Sequence, residues 1–125
     1  MDESAPDILI LERRIEPREL ARLTRLFFED MVKYVVDVER RMIAIGGELH
    51  ADAERLLLDS GSRLSDVWGA NYYPGTGREG CIEYTSSINH RPALGNHSVL
   101  IEDPAIRERV REVTFELIGQ GEPLG

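Results

Sequence analysis

Two short β-branched runs, Val32 to Val38 and Met42 to Ile45, stand on either side of the charged triplet Glu39-Arg40-Arg41, and the second ends at Gly46-Gly47. Apolar runs this short and this rich in valine and isoleucine pack as strands rather than helices. Two of them in tandem form a hairpin that turns near Glu39-Arg40, with no Asn-Gly signal to set its register. Strand alternation puts Val32, Tyr34, Val36 and Val38 on one face and Lys33, Val35, Asp37 and Glu39 on the other.

The flanking segments supply helices and further strands. Glu16-Pro17 opens a helix over Pro17–Phe28, because Pro at the first helical position gives up an N–H that has no partner there. Leu20, Leu23 and Phe27 recur on its inner face, and Leu26 widens it. Glu48–Ser60 predicts a second helix with Leu49, Ala53, Leu56 and Leu57 on one face and Gly61 as its stop. Asp103-Pro104, an N-cap followed by proline, starts a third over Pro104–Ile118, with Ile106, Val110, Val113 and Leu117 inward. Ile8 to Leu11, Val67 to Tyr73 and Cys81 to Ile88 read as strands, with Val99 to Ile101 as a last short one. The segments Pro74 to Gly80 and Asn89 to Asn96 read as loops. The order β-α-β-β-α-β-β-(β)-α predicts an α+β fold, a mainly antiparallel sheet with about three helices packed on one face. One domain spans residues 1–125, with 1–6 and 120–125 as flexible tails.

Composition removes several function classes. With 42% apolar residues the chain is globular rather than disordered. No apolar run approaches the ~20 residues that cross a bilayer, and the acidic start Met1-Asp2-Glu3 lacks the basic region of a signal peptide, so a cytoplasmic protein without membrane contact is expected. A net charge of −8, with bases interleaved among acids as in Arg107-Glu108-Arg109, counts against nucleic acid. The single cysteine, Cys81, excludes an internal disulfide and any multi-cysteine zinc site. There is no Walker A loop, Gly-x-Gly-x-x-Gly fingerprint, EF-hand loop or Cys-x-x-Cys, so neither a cofactor nor a metal is expected.

The remaining polar clusters are candidate ligand contacts. His50 and Glu54 lie one turn apart on the second helix, able to share a hydrogen bond or an ion. The pattern is not His-Glu-x-x-His, and acids in a first turn also complement the helix dipole. Asn89, His90, Arg91 and Asn96 sit on a loop, where polar residues often carry function. Arg91 offers a planar fork for a carboxylate or phosphate, or equally an internal partner such as Asp52, Glu54 or Glu83. Asn and Gly also dominate turns for purely conformational reasons. Asn71, beside Trp68 and Tyr72, could meet Ser86 or Ser87 across a hairpin.

The strings Val36-Asp37-Val38-Glu39, Ala44-Ile45-Gly46-Gly47-Glu48-Leu49-His50-Ala51-Asp52-Ala53-Glu54, Trp68-Gly69-Ala70-Asn71 and Ser87-Ile88-Asn89-His90-Arg91-Pro92 together resemble a family of small bacterial proteins catalogued only as a domain of unknown function. The resemblance runs from about Leu20 to Leu117 and implies no catalytic residue. Two functions compete. One is a non-catalytic binding or interaction module, self-associating as a homodimer through an unpaired sheet edge. The alternative is a small enzyme or metal-dependent hydrolase with a His/Asp/Glu site built on His50, Glu54, His90 or His97. They differ in whether the histidines converge with acids on one cleft.

Overall fold

The computed structural model describes residues 6–125, so the expected N-terminal tail, apart from Pro6, lies outside the described residues. The strands are β1 (Ile8–Leu11), β2 (Val32–Asp37), β3 (Met42–Gly46), β4 (Val67–Tyr72) and β5 (Ile82–Glu83); the helices are α1 (Pro17–Phe27), α2 (His50–Asp59) and α3 (Pro104–Leu117). The fold is α+β, with one antiparallel sheet in the order β1-β3-β2-β4-β5. The β2–β3 hairpin closes with Asp37 opposite Met42. Its turn is held by the buried Asp37 carboxylate, whose Oδ1 accepts the N–H groups of Glu39 and Arg40, each at 2.9 Å. Oδ2 accepts the Ser62 hydroxyl at 2.6 Å.

The helices divide between the two faces of the sheet, where one covered face was expected. Tyr34, Val36, Ile43, Ile45, Trp68 and Tyr72 pack with Leu20 and Leu23 of α1 and Val110, Val113 and Leu117 of α3. Val35, Ala44 and Val67 point the other way and pack with Ala53 and Leu57 of α2. The reason is in the strands themselves: β2 and β3 carry apolar side chains at successive positions, so both faces shed water on folding. Tyr34 fixes α3 to the sheet. The Thr114 hydroxyl donates to Val110 O (2.7 Å), so the buried Tyr34 hydroxyl is the donor in its 2.7 Å bond to Thr114 Oγ1.

Other expectations shift locally. Phe27 was expected in the core and is 39% exposed, while Thr24 is buried on α1 and bonds back to Leu20 O. Helical spacing shows which side a residue takes, but cover depends on what lies opposite. Likewise Leu49, at the N-cap position before α2, and Leu56 of α2 stay exposed while His50, Ala53 and Leu57 are buried. The strand expected over Cys81 to Ile88 stops at Glu83; Ser86 accepts the Ile88 N–H at 3.2 Å and starts a 3-10 turn over Ser87–Asn89. Val99 to Ile101 contributes a single bridge, Leu100 to Thr85. α3 begins as its sequence dictates, with Asp103 Oδ1 accepting the Ala105 N–H at 2.8 Å. Residues 120–122, read from sequence as part of a tail, hydrogen-bond to the body: Gly121 N–H donates to the Tyr72 hydroxyl (2.8 Å), and Gly75 N–H to Glu122 O (3.0 Å). No helix among the described residues is long and apolar enough to cross a membrane.

Leu57 is fully buried between α2 and the sheet. Leu57→Ala is expected to lower the unfolding free energy by roughly 2–5 kcal/mol in a denaturant titration; an unchanged midpoint would show that this face is not packed.

Candidate functional site

The loop after β5 turns its polar side chains inward. Asn89 is fully buried, and its amide does the work of a neighbouring strand: Oδ1 accepts the Gly69 N–H at 2.9 Å, and Nδ2 donates to Gly69 O at 3.0 Å and to Val99 O at 3.1 Å. Asn96, also buried, donates through Nδ2 to the carbonyls of Asn89, Ser98 and Leu100, and its Oδ1 accepts the Glu102 N–H. Between them, Arg91 and Asn96 exchange backbone hydrogen bonds. Arg91 then reaches back along β4. Its guanidinium donates to Val67 O, to Leu64 O at 2.8 Å, and to Glu54 Oε2 on α2, and it lies 5.3 Å from the centre of the Trp68 ring. The ion pair is largely enclosed, with side chains 10% and 16% exposed. Burial pulls the Arg91 pKa below its ordinary value and Glu54 opposes that pull; an arginine so placed stays charged.

A second cluster lies on the α2 face, at the N-terminus of α2. His50 is the first residue of α2 and is buried, with Nε2 2.9 Å from Ala70 O. A carbonyl only accepts, so Nε2 carries the hydrogen and the neutral ring keeps its lone pair on Nδ1. Burial lowers the His50 pKa; the Ala70 carbonyl opposes this, and the Lys33 charge adds to it. Asn71, paired with Lys33 on β2 and Glu83 on β5, donates through Nδ2 to Glu83 Oε1 at 2.8 Å and to Thr85 O at 3.4 Å. That fixes its orientation and leaves Oδ1 buried without a hydrogen-bond partner. Tyr73 donates to the same Glu83 oxygen at 3.1 Å, and burial followed by that bond raises its pKa.

The candidate residues thus fall into two groups. Glu54, Asn89, Arg91 and Asn96 form one cluster, while His50 and Asn71 belong to the other. His90 is exposed and outside both, its N–H on Ser87 O, and His97 is exposed on the following turn, its N–H on Glu102. Among the described residues no group of three His, Cys, Asp or Glu side chains is arranged to hold a metal ion. The Cys81 thiol is buried, and burial raises its pKa, away from the reactive thiolate. Sequence reasoning gave Asp37 no role beyond a strand face and named Glu83 only as a possible partner of Arg91, whereas Asp37 accepts three donors and Glu83 accepts Asn71 and Tyr73. For Asp37 a signal existed, since Asp at the first position of a polar turn bonds the N–H groups ahead of it.

Two outcomes are expected. Arg91→Ala strands the Glu54 carboxylate and uncaps two carbonyls, so it should cost about 3–5 kcal/mol of stability in chemical denaturation; a loss within error of zero would mean the pair is solvated. For His50 the folded pKa lies below the unfolded value, so as pH falls below 6.5 the unfolded chain takes the proton first. Its contribution is intact above pH 6.5 and lost as pH falls through the folded pKa. Melting curves should show His50→Gln removing this part of the acid sensitivity; an identical pH slope in both proteins would refute it.

No curated protein and no solved structure matches the chain. The family model described as "Protein of unknown function (DUF5674)" matches residues 9–117, which takes in most of β1, all of α3 and every residue of both clusters. The chain belongs to this family of proteins of unknown function.

Proposed function

We propose that this domain is a non-catalytic interaction module that receives a partner strand along the outer edge of β1. The observation that carries the reading is the unequal treatment of the two sides of the sheet. Gly69 gives both its backbone groups to Asn89, so residues 67, 69 and 71 of β4 face outward, and 68, 70 and 72 bond β2. This outward side is closed by Arg91 on Val67, Asn89 on Gly69 and β5 on Asn71. Following the alternation across the registers, Val35 and Asp37 of β2 bond β3, Ile43 and Ile45 of β3 bond β1, and Leu9 and Leu11 are the bonded residues of β1.

The N–H and C=O groups of Ile8 and Ile10 therefore point away from the sheet, and no hydrogen bond from a described residue meets them. Ile10 is 39% exposed. A hollow of about 430 Å³ lies along β1 and the turn after it, lined by Leu9, Ile10 and Leu11 and by the charged side chains of Glu12, Arg13 and Glu19. Strand addition to such an edge supplies main-chain hydrogen bonds for affinity and side-chain pockets for specificity. Of the residues that could have served an enzyme, Glu54 is paired with Arg91 at the β4 edge, His50 is bonded to Ala70 O, and His90 and His97 lie exposed outside both clusters. A cytoplasmic setting suits the lone buried thiol of Cys81.

Native mass spectrometry of the purified protein tests the reading. An assembly heavier than one chain, lost on Ile10→Pro, is expected. A single chain carrying a stoichiometric metal ion or small molecule would overturn it in favour of the enzyme.

A further inference from the structure

We propose that the strand received by β1 is β1 of a second copy of this chain, added antiparallel about a two-fold axis through Leu9; this rests on the reading of β1 as the docking edge. Outward-facing residues must meet outward-facing residues, so the axis falls at Leu9 or at Ile10. With the axis at Leu9, Ile8 lies opposite Ile10 of the second copy and each pair exchanges both N–H···O bonds within the extended strand. With the axis at Ile10, Ile8 would need Glu12 as its partner, and the chain bends away at Glu12 and Arg13. The edge is its own complement, as an isologous interface requires.

The side chains agree with this arrangement. A two-fold axis perpendicular to the sheet keeps both α2 helices on one face, where Ile8 and Ile10 of the two copies form a shared apolar floor. Leu56 sits about 160° around α2 from Glu54 at 3.6 residues per turn. Glu54 is held on the β4 side by Arg91, so exposed Leu56 borders the floor on the β1 side. With the axis at Leu9, Asp7 of one copy stands opposite Leu11 of the other, so no like charges face one another across the paired strands. Within Ile8–Leu11 there is no charged side chain, proline or bulge, the devices by which sheet edges avoid one another.

Sedimentation or light scattering across a dilution series tests the pairing. Wild type should show a concentration-dependent dimer. Ile10→Pro removes an outward N–H from each copy without touching the ladder to β3, and should raise Kd about tenfold or more while circular dichroism shows the fold retained. Ile10→Lys keeps the N–H but puts a charge on the exposed apolar floor; it should weaken the dimer several-fold, a readout that does not depend on the proline variant folding. A monomeric wild type at every concentration overturns the second copy; Ile8 and Ile10 amides protected from exchange in that monomer would mean that another segment of the same chain covers the edge. A heteromeric assembly lost on Ile10→Pro keeps the docking edge and overturns the second copy. A dimer indifferent to both the proline and the lysine overturns the docking edge as well.

Discussion

The amide of Asn89 on the backbone of Gly69 is the contact from which the polar architecture of this domain follows. A strand at the side of a sheet presents alternate N–H and C=O groups that are costly to bury unpaired. At Gly69 both are taken by one side chain, in the geometry of a neighbouring strand. The contact needs close approach: a Cβ on Gly69 would lie 2.7 Å from the Cβ of Ser86 and 3.1 Å from Ile88. With Asn89 seated, Asn96 locks the loop through the Asn89 carbonyl, and the turn between them delivers Arg91 to the last open carbonyl of β4. Glu54 then balances the enclosed charge and ties α2 to the same edge. One short polar loop thereby fixes a strand edge, a helix and the stretch from Ser86 to Glu102.

Much of the frame was legible because its signals are local. The β2–β3 hairpin follows from β-branching on either side of a charged turn, and the start of α3 from an Asp-Pro pair whose cap bond forms as the residues dictate. The division of the helices was legible in principle, since Val35 beside Val36 and Ala44 beside Ile43 leave no polar face to turn to water. What local signals could not give was partnership across the chain. Asn89 and Gly69 are twenty residues apart, and nothing in the loop's own composition separates an asparagine that makes a turn from one that replaces a strand. Arg91 was placed among acids that included Glu54, but its two carbonyl partners depend on where β4 begins. β5 ended early because Ser86 bonds its own downstream N–H, a competition that strand propensity does not describe.

The cluster at the N-terminus of α2 obeys a different economy. His50 opens α2 without a side-chain cap, yet it is buried and spends its N–H on a carbonyl already in the β4 ladder. Its neighbour Asn71 satisfies Glu83 and Thr85 and leaves one oxygen unmet. Helix entry here is secured by packing against the sheet rather than by capping, and the imidazole is kept neutral by the same burial. At the other end of α2, Ser62 and Arg40 gather round the Asp37 carboxylate, which binds several donors.

These arrangements bear on what kind of surface the domain offers. An enzyme of this size would need convergent groups left free to meet a substrate. Here the enclosed groups converge on one another: Arg91 on Glu54, Asn89 on Gly69, Asn96 on three carbonyls. The backbone groups at the far side of the sheet are treated otherwise. β1 is tied to β3 through Leu9 and Leu11, it carries apolar side chains on both faces, and Ile8 and Ile10 turn their hydrogen-bonding groups outward. The side of the sheet beside β4 is closed with buried, oriented polar groups, each held by others of its kind. Among the described residues the outward N–H and C=O groups of Ile8 and Ile10 meet no hydrogen-bond partner, and their positions are set by the ladder behind them.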